Sequence, residues 1–291
     1  MTGAAMQPAR RRFCMAALLA CAGGPGWSAA ASLPGPAGAA SAVADDRRAA
    51  LVIGNSAYRV GALKNPVNDA QAMAGSLRAL GFEVTQRENT SLRDMLEAFR
   101  QFSLSARTAR VRVVFYAGHG VQLKGRNYLL PVDTEIRAED ELPAKSADLN
   151  ELLDRLGGMQ HGINIVILDA CRNNPFSGAE ILGPDGRRLK FRGATPAGLA
   201  PVDAPLGSMV AFSTAPGGVA LDNPGEKNSL YTKHLLTFMQ SPGLPVELLF
   251  KQVRLSVARE TGRVQVPWES SSLTGDFCFR LSPQGGCQSG R

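Results

Sequence analysis

From Arg47 onward, short runs of nearly continuous apolar residues alternate with amphipathic stretches, and this alternation narrows the fold more than any other feature of the chain. Ala49-Ala50-Leu51-Val52-Ile53-Gly54, Val111 to Tyr116 and Ile163 to Leu168 have the composition of strands buried on both faces of a sheet. Phe82–Thr85 and Ser208–Ser213 read as further strands. Between them, Asn68–Leu80 is helical and stops at Gly81, a C-cap residue. Ser91 caps a second helix running to about Ala106, with Met95, Leu96, Phe99 and Phe102 on one face. Asp148–Leu156, Ser229–Met239 and Val246–Thr261 complete the helices. Strands alternating with helices of this length require crossover connections. The expected fold is therefore α/β, a mostly parallel central sheet flanked by helices on both faces. In such sheets chemistry lies beyond the carboxyl ends of the strands.

The rest of the chain reads as appendages to this domain. Residues 1–31 have the three zones of an export signal: Arg10–Arg12, an apolar stretch from Phe13 to Ala22, and small residues at Ser28-Ala29-Ala30-Ala31. Arg10-Arg11-Arg12-Phe13 resembles a twin-arginine signal. Leu18-Leu19-Ala20-Cys21 resembles a lipobox, in which Cys21 would carry a lipid anchor, although Leu19 is uncommon at its position. An exported chain, periplasmic or secreted, is expected, with the soluble and lipid-anchored forms both open. Residues 32–46, rich in Ala, Gly and Pro, read as a linker, 47–282 as the domain, and 283–291 as a flexible tail. Residues 176–207, rich in Gly, Pro and Arg without an apolar period, read as a long exposed loop. The formal charge of +7 hints at nucleic acid, but without Arg10–Arg12 the basic to acidic balance is 29 to 25, with no long Lys/Arg run. No nucleic-acid partner is expected, and no apolar run past the leader is long enough to span a bilayer.

Two residues at strand ends carry the chemistry. His119, in Ala117-Gly118-His119-Gly120, and Cys171, in Asp169-Ala170-Cys171, each follow a buried strand and should open on one edge of the sheet. A thiol becomes a strong nucleophile as thiolate, and an imidazole beside it lowers its pKa and later protonates the leaving group. The backbone N–H groups of Gly120 and Cys171 are candidates for an oxyanion hole. Metal ligation is the other use of such residues, but there is no Cys-x-x-Cys and no His-x-x-x-His, so no metal is expected. His161 and His234 read as structural or surface residues. A nucleotide-binding domain would need a Gly-rich phosphate loop after the first strand, where only Gly54 stands.

These stretches resemble the caspase-like cysteine peptidases (peptidase C14), in particular their bacterial metacaspase-like or orthocaspase branch. The matching motifs are Ala50-Leu51-Val52-Ile53-Gly54-Asn55, Asn65-Pro66-Val67-Asn68-Asp69-Ala70, Tyr116-Ala117-Gly118-His119-Gly120 and Asp169-Ala170-Cys171-Arg172. Looser matches follow at Ala211–Gly217 and Val266-Pro267-Trp268-Glu269. His119 precedes Cys171 by 52 residues, against about 50 in the caspase signature. The resemblance implies a caspase-hemoglobinase fold, His119 as general base and acid, Cys171 as nucleophile, and Gly120 in the oxyanion hole.

It also implies a substrate class. In the metacaspase branch Asp stands at the positions of Asp69 and Asp169, where it would favour Arg or Lys at P1 and repel Asp. Asp69 also fits a plain role as an acid stabilised at a helix N-terminus. Ala117 departs from the Ser often found before Gly-His in the family. Some members depend on calcium, but no compact Asp/Glu constellation places such a site here, and no cofactor is expected. The expected partners are protein or peptide substrates with basic P1 residues. Arg187, Arg188, Lys190 and Arg192 lie in loop 176–207, where such an enzyme would meet its own chain; two readings stand, self-cleavage at one of them and a solvated basic loop that is never cut. The rival reading is a catalytically silent caspase-like interaction module in the cell envelope; retention of both His119 and Cys171 favours activity. Cys278 and Cys287 are close enough to close a small loop, and export would permit the bond.

Overall fold

The computed structural model describes residues 47–136, 138–159, 161–171, 181–182, 188–189, 199–216, 218, 220 and 225–288, with the backbone alone at 171, 181–182 and 188–189. Leader residues 1–31, linker residues 32–46, Cys21, Arg187, Lys190, Arg192 and the last three residues of the tail lie outside them.

The chain opens with β1 (Arg48–Gly54), α1 (Pro66–Ala79), β2 (Phe82–Glu88), α2 (Leu92–Ser105) and β3 (Val111–Leu123). There follow β4 (Arg126–Leu129), a short turn of helix α3 (Leu142–Lys145), β5 (Ala147–Asp148), α4 (Leu149–Gly157) and β6 (Ile163–Cys171). A two-stranded ribbon of β7 (Ile181–Leu182) and β8 (Arg188–Leu189) precedes β9 (Ser208–Phe212), α5 (Leu230–Met239), α6 (Val246–Glu260) and β10 (Trp268–Ser271). The central sheet runs in the order β10-β9-β6-β3-β1-β2. Its inner pairings are all parallel, and β10 closes one edge antiparallel to β9. The α/β architecture expected from the apolar runs is the one observed.

The period of two along each strand divides the core between the faces. Val52, Val113, Phe115 and Ile167 pack against Met73 and Leu77 of α1, Leu235 of α5 and Val253 of α6. Leu51, Ile53, Val114 and Val166 face the other way, onto Met95 and Phe99 of α2 and Leu152 and Leu156 of α4. α1 starts at Pro66, two residues before the sequence pattern suggests, because proline is tolerated in the first helical turn. It packs so closely on the end of β1 that a Cβ at Gly54 would lie 2.6 Å from that of Ala70.

Three departures from expectation shape the site. First, β3 does not end at Tyr116. It continues through Gly118-His119-Gly120 and returns as β4 across Lys124-Gly125, both at positive φ, as a two-residue hairpin requires. His119 is thus inside a strand, at the last position where β3 pairs with β6, next to the point where β3 exchanges partners for β4. Second, the end of segment 176–207 is partly built into the domain, although Pro201, Asp203 and Leu206 are exposed as expected. Leu199, Ala200 and Val202 are buried, and the Asn127 side chain grips Ala200, its Nδ2 donating to the carbonyl (3.0 Å) and its Oδ1 accepting from the N–H (2.6 Å). Leu199 and Val202 supply apolar surface for β4 and α4 to cover, which outweighs the turn-rich composition around them. Third, Leu273–Leu281, which the sequence suggests as a final extended piece, forms no regular strand. It buries Phe277 and Phe279 and is tied down by the Cys278–Cys287 disulfide, Cα–Cα 5.5 Å.

Candidate active site

Parallel pairing of β3 with β6 sets Ala117 opposite Asp169, Gly118 opposite Ala170 and His119 opposite Cys171. Neighbouring strands lie about 4.8 Å apart, so the two sequence-predicted catalytic residues stand backbone to backbone at the carboxyl edge of the sheet.

His119 is held on every side, and it is only 5% exposed. Its backbone N–H donates to the Tyr58 hydroxyl (2.9 Å), and its carbonyl accepts from the Tyr116 hydroxyl (2.7 Å). The Tyr58 ring lies against the imidazole, centroids 4.4 Å apart and tilted by 53°. The imidazole Nε2 sits 2.6 Å from the Gly61 carbonyl. A carbonyl can only accept, so Nε2 carries the proton and in the neutral ring the lone pair is on Nδ1. One loop between β1 and α1 therefore supplies a ring contact, a backbone acceptor and a tautomer-fixing acceptor.

A polar cluster backs this grip. The Leu130 carbonyl accepts from Asn55 Nδ2 (3.1 Å) and Tyr58 (3.1 Å), and the Tyr116 oxygen lies 2.9 Å from that carbonyl and 3.2 Å from the Tyr58 oxygen. Asn55 Oδ1 in turn accepts from the N–H and hydroxyl of Thr90. Burial, then the neighbouring Tyr58, pushes the Tyr116 phenol well above its ordinary value, keeping it a neutral donor. The hydroxyls explain Gly118: a Cβ there would lie 2.6 Å from the Tyr58 oxygen and 2.7 Å from that of Tyr116. Its φ of +155° adds a backbone reason for glycine. Gly120 is close-packed too, since a Cβ would lie 3.1 Å from the Leu199 side chain and 3.2 Å from that of Ala170.

The two sequence-predicted acids also converge. Asp69, in the first turn of α1, and Asp169, near the end of β6, are 1% and 8% exposed, and both bond to Ser229 at the start of α5. Asp69 Oδ1 accepts from the Ser229 N–H (3.0 Å) and from Asn228 Nδ2 (2.9 Å). Asp169 Oδ2 accepts from the Ser229 hydroxyl and from Thr232 Oγ1 (2.7 Å). The position of Asp69 in the first turn means that its role at a helix N-terminus and its convergence with Asp169 coexist.

The remaining histidines lie elsewhere. His234 is bonded to Glu260 on the surface (2.7 Å), and the His161 carbonyl accepts from buried Arg112. Among the described residues no group of three or more His, Cys, Asp or Glu side chains is disposed to hold a metal ion, and no helix is long and apolar enough to cross a membrane.

Sequence reading missed Tyr58, Gly61, Asn55, Asn228, Ser229 and Thr232. Ser229 was legible as a helix start, but its partners are 160 and 60 residues away. Tyr58 lies in an irregular loop with no periodicity to mark it.

A parallel-centred α/β sheet with a His and a Cys opposite each other at the last paired position of two adjacent strands is the arrangement of the caspase fold. The Caspase domain model of peptidase C14 matches residues 47–278, and the chain belongs to that family. Caspase-1 from Spodoptera frugiperda is structurally similar, with a TM-score of 0.58 and 17% identity over 82% of this chain and 92% of that one. At that identity the likeness shows the fold. The human protein Mucosa-associated lymphoid tissue lymphoma translocation protein 1 is 30% identical over 128 residues, 43% of this chain and 15% of that protein; its Mus musculus homologue matches to the same extent. The match spans about 15% of the length of these curated relatives.

Proposed function

We propose that the chain is a cysteine endopeptidase that uses Cys171 and His119 to cleave after Arg or Lys. The observation that carries this reading is the β3–β6 register, which sets His119 directly opposite Cys171 in a family of peptidases. The Nε2-protonated tautomer leaves Nδ1 to take the thiol proton. The thiolate then attacks the scissile carbonyl carbon, and the N–H groups of Gly120 and Cys171 are the donors assigned to the developing oxyanion. Collapse of the tetrahedral adduct breaks the C–N bond, with His119 returning the proton to the leaving amine and an acyl-thioester left on Cys171. Water, deprotonated by the same imidazole, attacks that ester and frees the carboxylic acid and the thiol.

Two buried carboxylates joined through one residue support a cationic P1 side chain, since a carboxylate brought there would meet like charge at low dielectric. The test is a set of peptides differing only at P1. Arg and Lys peptides are expected to be cut and Asp peptides left intact; cleavage after Asp alone would overturn the reading. Self-cleavage in segment 176–207 follows from the same specificity. N-terminal sequencing of the purified protein beside a Cys171→Ala control tests it, with intact chains in both samples as the refuting result. We place the enzyme in an exported, oxidising compartment, periplasmic or secreted, with a lipid anchor at Cys21 as one form of it. The Cys278–Cys287 disulfide supports that address.

A further inference from the structure

We infer that Ser229 is a positioning residue that joins Asp69 and Asp169 into one cation-binding clamp and thereby sets the affinity for a basic P1 side chain; this rests on reading the two acids as the P1 pocket. The acids come from different elements, α1 and β6, and share no backbone pairing. Ser229 reaches both. Its N–H donates to Asp69 Oδ1, its hydroxyl donates to Asp169 Oδ2, and the same hydroxyl oxygen accepts from the Thr232 N–H (3.0 Å) as the cap of α5. The single hydroxyl proton and one oxygen lone pair are thus both used, which fixes the rotamer. Asn228 and Thr232 add one donor to each acid.

Two buried carboxylates close together repel, and without help one of them takes up a proton. Four donors from Asn228, Ser229 and Thr232, at the positive end of the α5 dipole, offset that repulsion by favouring the charged form of each acid. The bonds from the start of α5 fall on Oδ1 of Asp69 and Oδ2 of Asp169, so this segment helps to orient each carboxylate. A pre-oriented anionic pair binds a guanidinium or ammonium without reorganising, and that advantage appears in substrate affinity. Ser229 bonds to the acid side chains and not to the β3–β6 pairing that sets His119 opposite Cys171, and His119 is gripped from the loop between β1 and α1, so loss of the Ser229 hydroxyl should leave the chemical step in place.

The experiment uses the full chain with an Arg peptide and compares Ser229→Ala, Ser229→Thr and Thr232→Val with the wild type. Ser229→Ala is expected to raise KM roughly tenfold, the loss of one charge-assisted hydrogen bond, with kcat within about twofold. The rate of Cys171 alkylation by iodoacetamide, which needs the dyad but no P1 pocket, should not change. Ser229→Thr, which keeps the hydroxyl, should restore KM to within about threefold. Thr232→Val removes only one donor at nearly constant shape and carries the test if Ser229→Ala fails to fold; its KM should rise about threefold or more. An unchanged KM in the folded alanine variant, or in Thr232→Val, overturns the inference while leaving the P1 reading intact. So does a fall in kcat and in alkylation rate together. A wild-type chain that cuts neither Arg nor Lys peptides overturns both.

Discussion

The Tyr58 hydroxyl bonds directly to the backbone of His119, and Tyr58→Phe removes it while keeping the ring that lies 4.4 Å from the imidazole. The hydroxyl accepts from the His119 N–H at 2.9 Å, donates toward the Leu130 carbonyl at 3.1 Å and lies 3.2 Å from the Tyr116 oxygen. The Leu130 carbonyl keeps Asn55 Nδ2 as a donor. The His119 N–H loses the acceptor that serves it, inside a strand with little access to water. A buried donor left unsatisfied costs about 1–3 kcal/mol. For a domain of this size 2 kcal/mol corresponds to roughly 4–8 °C in melting temperature. The assay is thermal unfolding in a Cys171→Ala background, which removes the proposed self-cleavage, paired with kcat measured when Cys171 is present. A lower kcat is expected as well, since the strand carrying the imidazole loses one of its anchors. A melting temperature within about 1 °C of the parent would refute the reasoning, because it would mean that the hydroxyl is not what satisfies the strand.

Other outcomes follow from the same structure. Gly118→Ala drives a Cβ to 2.6 Å from the Tyr58 oxygen, so kcat/KM should fall at least about tenfold; retained activity would show that the two phenols are free to move. Arg112 is buried with its guanidinium bonded to the Ala106, Arg107 and His161 carbonyls and to Asn164 Oδ1, and burial holds its pKa below the usual value. Arg112→Leu strands those acceptors and should cost about 3 kcal/mol, read by denaturant unfolding, without changing P1 preference. Breaking the Cys278–Cys287 bond opens a small loop beside buried Phe277 and Phe279, and loop closure of that length is worth about 2.5 kcal/mol. Cys278→Ser should therefore melt at the temperature of the reduced wild type, and added reductant should leave the variant unchanged.

How much of this was legible in the sequence follows from the range of the interactions. β1, β3 and β6 are buried on both faces, so composition alone marks them, and His119 and Cys171 follow from their places at the strand ends. Gly118-His119-Gly120 reads as a loop because two glycines flank the histidine, yet the strand continues through it. Gly118 is there to clear two phenols rather than to turn the chain. Leu199 and Val202 were hidden in a stretch dominated by turn residues, since a local reading cannot see that Asn127 and α4 cover them. Asp69 and Asp169 were found by resemblance. Ser229 was not, because its two roles, capping a helix and joining the acids, depend on chain segments that only the fold brings together.

The central claim is that Cys171, opposite His119, cleaves peptide bonds after basic residues. Hydrolysis of a fluorogenic Arg peptide by the wild type, Cys171→Ala and His119→Ala, with a matched Asp peptide alongside, tests it most directly. The account predicts fluorophore release from the Arg peptide by the wild type alone and none from the Asp peptide. Equal release by the wild type and Cys171→Ala, or release from the Asp peptide only, would contradict it.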